Sequence, residues 1–185
     1  MIRLLTYIAI ALVVVPLSIV THEFGHYVVY KAFGAANVVL HAFSVSAEKD
    51  MLGSGQIALA AITGPIISYI TIAAAIYFTR KKYLPFWVIA GLAAPIGRIV
   101  NFIYVYFRLS GYDPNPNFDE FNFSRAVGVD PVGLSVTTCV AVLAVFAYFL
   151  RAAWKAGRYL EVLTIIVSIA AGLVVWSFVG PLVLP

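Results

Sequence analysis

Residues 4–30 read LLTYIAIALVVVPLSIVTHEFGHYVVY, an apolar run long enough to cross a bilayer that carries two histidines and a glutamate near its far end. Working outward, the same apolar character fills the chain. Of 185 residues, 63% are hydrophobic and 11% charged, and the mean hydropathy is +0.99, against about 45–50% apolar and about 25% charged in soluble domains. A water-soluble globular protein is excluded. A span takes about 20 residues, so this length holds roughly four to six of them and no large soluble domain.

Four further runs match the first: Ile57 to Phe78, Leu84 to Phe107, Leu134 to Leu150 and Val162 to Val179. The start, Met1-Ile2-Arg3 followed by Leu4 to Val15, is expected to be a retained helix, because no small-x-small cleavage site follows it. Residues Ala35 to Gly55 alternate in polarity, with Val39, Phe43 and Val45 expected on one side and Ser44 and Ser46 on the other, which predicts a short hairpin or edge strand. Ser110 to Pro131 is the one long polar stretch. Asp113-Pro114-Asn115-Pro116 forbids helix at its centre, and Asp130-Pro131 supplies an N-cap and a first-turn proline for the fourth span. The expectation is an all-α integral membrane protein with about five transmembrane helices and a short β hairpin after the first. It forms a single multi-pass domain over residues 1–185, placed in the cell membrane.

The net charge of +4 comes from 12 basic and 8 acidic residues. They occupy short polar gaps, without the basic surface interleaved with exposed aromatics that binds nucleic acid, so no nucleic-acid partner is expected. Strict alternation puts Arg3, Arg80, Lys81, Lys82, Arg151, Lys155 and Arg158 on one side, against Lys31, Lys49, Arg108 and Arg125 on the other. The positive-inside rule then places the hairpin and the Ser110 to Pro131 loop outside. Cys139 is the single cysteine, which excludes an intrachain disulfide or a cysteine metal knuckle and reads as a small buried apolar residue.

His22-Glu23-Phe24-Gly25-His26 matches H-E-x-x-H in a chain with three histidines. Four residues apart on a helix, both imidazoles project from one face toward one ion. Glu23 stands beside that ion, as the general base of a zinc hydrolase does. Counted from Arg3, His22 lies about 28 Å along the helix, near the far boundary of a roughly 30 Å hydrocarbon layer. Two histidines and a glutamate at this depth are costly without a partner. Catalytic zinc usually takes three protein ligands, and the third is open between His41 and the acidic residues of the polar loop. Two histidines on one helical face cannot take opposite axial positions on a haem, and three histidines are too few for a histidine-rich di-iron site.

Four features in order resemble the site-2 protease family of intramembrane zinc metalloproteases. They are His22-Glu23-Phe24-Gly25-His26, the hairpin, Gly64-Pro65 near the start of the next span, and Pro114-Asn115-Pro116-Asn117-Phe118-Asp119. The last is similar to a P-x-P-x-L-D-G element, with Phe118 for leucine and Glu120 for glycine. The resemblance covers about residues 5 to 122, so that residues 1–122 form a metalloprotease-like core and residues 132–185 hold two additional spans. It implies one zinc per chain bound by His22, His26 and Asp119, with Glu23 as base. It further implies cleavage of membrane-protein substrates in or beside the lipid bilayer and an active site toward the cytoplasm, opposite to the side given by the basic-residue count. Asp113 and Glu120 are the nearest rivals of Asp119. Gly111 stands where the family has a substrate-holding asparagine, for which Asn101, Asn115 and Asn117 are the substitutes, and Ser68 stands where an asparagine often follows Gly-Pro.

In the third span, Arg98 and Asn101 share a helical face with Tyr104 beyond, in a segment interrupted by Pro95 and Gly97. Arg98 either pairs with Asp119, Glu120 or a substrate backbone, or snorkels to the near surface. Gly64-Pro65 frees a carbonyl and admits close helix approach. The runner-up function is a non-catalytic membrane zinc-binding protein, either a pseudoprotease scaffold or a metal carrier.

Overall fold

The computed structural model describes residues 2–184. Helix α1 (Ile2–Ala32) is followed by strands β1 (Ala36–Leu40) and β2 (Val45–Glu48) and by helix α2 (Ser54–Lys81). Next come α3 (Pro85–Ala93), a 3₁₀ turn (Ile96–Arg98), α4 (Ile99–Leu109), α5 (Asp119–Val127), α6 (Pro131–Lys155) and α7 (Tyr159–Val183). Among the described residues five helical stretches are long and apolar enough to cross a membrane: Arg3–Ala32, Ser54–Lys81, Pro85–Leu109, Pro131–Lys155 and Tyr159–Val183. Each expected span is present and extends past the apolar run that marked it, because helix continues into the polar flanks.

Apolar side chains gain little by leaving lipid for one another, so close contact of small residues holds such helices together. Helix α1 runs against α7 and α2. A Cβ on Gly172 would stand 2.9 Å from the Ala11 carbonyl oxygen, and Ala11 is fully buried in the crossing. Around it pack Val15 of α1, Val88 and Ile89 of α3, Phe149 of α6 and Ile165 of α7.

At the end of α1, Gly34 takes a left-handed φ of 76°, and the Ala35 amide reaches back to the Tyr30 carbonyl at 3.0 Å. Glycine there turns the chain out of the helix into β1 without a Cβ clash. The hairpin is antiparallel, with Val39 opposite Ser46 and Leu40 opposite Val45, and its register shifts between Ala36 and Val39. Directly opposed residues share a face, so Val45 sides with Leu40 while Val39 sides with Ser46. The expected common face of Val39, Phe43 and Val45 is therefore incorrect. The turn is closed by the His41 amide on the Ser44 carbonyl at 2.8 Å, which places Phe43 in the turn outside the alternation, and the irregularity lies at Asn37, whose φ is 50°.

Helix α7 fastens this hairpin. Trp176 Nε1 donates to the Ala42 carbonyl at 3.1 Å, the Ala42 amide donates to the Leu184 carbonyl at 3.2 Å, and Gly180 leaves room for the Ala42 methyl. The last span thus takes part in positioning the hairpin.

The third span is broken where Pro95 lacks an amide hydrogen and its ring crowds the preceding turn. Helix α3 stops at Ala93, and α4 resumes at Ile99 with Asn101 and Tyr104 on its buried face. The expected alignment of Arg98, Asn101 and Tyr104 is present, since all three are buried.

The polar stretch holds a helix that the sequence reading left out. Prolines 114 and 116 keep the chain extended only to Phe118, and α5 then runs from Asp119 to Val127, with Gly128 ending it at a φ of 73°. Two carboxylates in the first turn suit the positive end of the helix dipole. Tyr104, Phe118 and Phe121 pack edge-on or tilted with centroids 5.5 to 5.9 Å apart, pinning the start of α5. Asp130 caps α6 as expected, accepting from the amides of Val132 at 3.2 Å and Gly133 at 2.8 Å.

Candidate metal centre

His22 and His26 lie one turn apart on α1, both buried, and both turn Nε2 toward one point. The two Nε2 atoms are 3.2 Å apart. Asp119, at the first position of α5, brings Oδ1 to 3.3 Å from His26 Nε2 and Oδ2 to 3.0 Å from His22 Nε2. These three residues form a group that could hold a metal ion. Donor atoms on a tetrahedral zinc at 2.0–2.1 Å stand about 3.3 Å apart, close to the distance between the two Nε2 atoms and to that from each Nε2 to its own nearest Asp119 oxygen.

The opposite edges of the rings are also held. His26 Nδ1 donates to the Ala60 carbonyl at 2.6 Å, which leaves the Nε2 of a neutral ring as a lone pair. His22 Nδ1 meets Ser68 Oγ at 3.0 Å. Partners of this kind orient metal-binding histidines. For Asp119, burial pushes the carboxyl up, but its contacts with the His22 and His26 rings and the positive charge of Arg98 hold it well below the usual carboxylate range. It is ionised near neutral pH, and together with an acceptor nitrogen on His26 it offers the centre lone pairs. A cation fits that donor set.

Space for the cluster comes from two glycines. A Cβ on Gly64 would fall within contact distance of both Nε2 atoms, 2.7 Å from that of His22 and closer still to that of His26. On the facing helix a Cβ on Gly25 would stand 3.3 Å from the Gly64 amide nitrogen and 2.6 Å from Ile67 Cδ1. Close approach at Gly64-Pro65 was expected, but Gly25 had been read only as a variable place in the histidine motif. The carbonyl that Pro65 leaves without its helical donor is that of Ala61, whereas His26 uses the one before it, on Ala60.

His22, Glu23, His26, Arg98 and Asp119 line a cavity of about 290 Å³, whose wall includes Phe43, Ser44 and Val45 of the hairpin and Asn117 of the proline loop. The end of α1, the hairpin and the polar loop therefore meet on one side, as expected. His41 is not in the cluster and bonds to Ser46 Oγ at 2.9 Å. Asp113 pairs with Arg108. Glu120 is not in the cluster and accepts from Arg98 Nη1 at 2.7 Å. Arg98 does not snorkel: it is buried between Glu120 and Asp119, with Nη2 2.7 Å from Asp119 Oδ2 and 3.0 Å from His22 Nε2.

Of the asparagines considered for substrate binding, Asn101 is fully buried and donates to the Arg98 carbonyl at 3.3 Å. Asn115 accepts from Arg125 at 3.2 Å. Asn117 lies on the cavity wall and accepts from Asn122, also on the wall, at 2.9 Å. Cys139 is buried, as expected. No family model, curated protein or solved structure matches the chain.

Proposed function

We propose that the protein is a zinc-dependent intramembrane metalloprotease of the site-2 protease kind, hydrolysing peptide bonds in or near the transmembrane segments of membrane-protein substrates. The observation that carries this reading is the convergence of ligand atoms from His22, His26 and Asp119, one from each and all within 4.8 Å of one another, in a cavity that Glu23 also lines. Two imidazoles and a carboxylate favour zinc over calcium or magnesium, which prefer all-oxygen sites. Bound there, zinc supplies Lewis acidity toward a peptide carbonyl and makes water acidic near neutral pH.

The remaining chemistry belongs to the chain. Glu23 accepts the proton of the attacking water as the new C–O bond forms, and delivers it to the amide nitrogen as the C–N bond breaks. A substrate helix ties up its carbonyls in i to i+4 bonds and must unwind to be cut. The hairpin over residues 39–46 borders the cavity and offers strand edges on which an unwound segment can pair.

The second reading, a non-catalytic zinc protein, divides into two. A carrier needs ligands at successive depths, whereas the ligand-bearing residues found among the described residues form one cluster. A pseudoprotease scaffold uses the same metal site and is separated by its indifference to loss of the Glu23 carboxylate.

The test is metal removal from purified protein in vesicles that also hold a single-span substrate. Cleavage is expected to stop when 1,10-phenanthroline strips the metal and to return with added zinc but not with magnesium. Cleavage that persists in protein shown to be metal-free would overturn the proposal.

A further inference from the structure

Asp119 offers two oxygens, and the structure treats them differently. Oδ1 faces His26 Nε2 at 3.3 Å and has no arginine on it, whereas Oδ2, 3.0 Å from His22 Nε2, also receives Arg98 Nη2 at the shorter distance of 2.7 Å. The other arm of the guanidinium is held by Glu120 at 2.7 Å, and both Arg98 and Glu120 are only 6% exposed. The fork is therefore fixed at both ends. Arg98 reaches this place because the break after α3 turns it inward one residue before α4 begins.

We propose that Arg98 is a positioning residue that occupies Asp119 Oδ2 and so presents Oδ1 alone to the metal, making the aspartate a one-oxygen ligand. This rests on the metal-binding reading of the triad and goes beyond it by assigning the number of bonds that Asp119 makes. Carboxylates bind metals through one oxygen or two. A two-oxygen aspartate beside two histidines would take up the coordination that water and substrate need, and an arginine on one oxygen prevents it. A guanidinium suits the task because its planar donors stay charged at any relevant pH. A lone cation beside a metal ion would repel it, and Glu120 offsets that charge without touching the histidines. The same pairing explains why two adjacent carboxylates begin α5: Asp119 serves the metal and Glu120 serves the arginine.

The probe is cobalt(II) in place of zinc, in detergent-purified protein, read as cobalt per chain and visible absorption per bound cobalt. Four-coordinate cobalt lacks an inversion centre and absorbs strongly, and each added ligand weakens the bands. Wild type is expected to bind about one cobalt with intense bands. Arg98→Gln should still bind cobalt, but with absorption per cobalt reduced to about half or less as Asp119 turns both oxygens to the ion. Arg98→Lys, which keeps a donor and a charge for Oδ2, should recover most of it. Glu120→Gln leaves every triad residue in place and loosens only the arginine's outer anchor, so an intermediate loss is expected.

A merely structural arginine would lower the yield of folded, cobalt-loaded protein and leave the spectrum per cobalt unchanged, which would overturn the proposal. If Arg98→Gln does not fold, a wild-type spectrum in Glu120→Gln overturns it equally. A folded wild type that takes up no cobalt would remove the metal reading itself, and this inference with it.

Discussion

Glu23→Gln is expected to slow peptide hydrolysis by about 10²–10⁴-fold, the usual contribution of a positioned proton acceptor, while the chain keeps its metal. The substitution preserves shape and removes only basicity. Glu23 follows His22 on α1 and lines the same cavity, but it is not among the three residues whose donor atoms converge. Loss of hydrolysis with retention of zinc is therefore the signature of a base. The measurement is a single-turnover cleavage assay on reconstituted protein, paired with elemental analysis of the same sample. Unchanged hydrolysis would remove Glu23 from the mechanism. If a cellular role is found that also tolerates the change, the scaffold reading gains and the protease reading falls.

Gly64→Ala is expected to cost at least about 100-fold in zinc affinity, the upper range for changes beside a metal site, although residue 64 donates nothing to the ion. The added methyl would press on the Nε2 atoms of both histidines. Neither ring can retreat freely, because His26 Nδ1 is held by the Ala60 carbonyl and His22 Nδ1 by Ser68. Relief requires α1 and α2 to part, which Gly25 and Ile67 would register, or the imidazoles to swing off the site. Overpacking of this kind also costs about 1–3 kcal/mol in stability. Gly55→Ala is the control, since a Cβ there meets nothing within 4 Å on the same helix. Zinc titration of the two variants against wild type checks the claim, and equal affinity in Gly64→Ala would mean that the histidines do not meet where the geometry puts them.

The parts legible in the sequence were those written in local pattern. Five apolar runs gave five spans, and Asp130-Pro131 marked the start of α6 where the cap is found. The pairing of the two histidines followed from a spacing of four on one helix. What local pattern does not carry is which distant side chain completes a cluster. The residues between His26 and Asp119 form a hairpin and two spans whose packing fixes the distance, and only the resemblance to a known family pointed to Asp119 over His41 or Asp113.

Arg98 shows the division clearly. An arginine so deep calls for a polar partner or a path to the surface, which the sequence could say, but that it takes two carboxylates, one of them a metal-site residue, depends on the break at Pro95 and on α5. That helix was overlooked because Pro114 and Pro116 dominate the reading of the loop, although Asp119, Glu120 and Gly128 are ordinary start and stop signals around it. The face of the hairpin was misassigned for a similar reason: the turn between Leu40 and Val45 pairs even-numbered with odd-numbered residues, so the alternation of β1 does not carry over to β2.

The most direct test of the central claim is zinc per chain, by elemental analysis of detergent-purified wild type beside Asp119→Ala and His41→Ala. About one zinc in wild type, lost with Asp119 and kept without His41, is the expected result. A well-folded wild type with little zinc, or an Asp119→Ala variant that keeps it, would contradict the account.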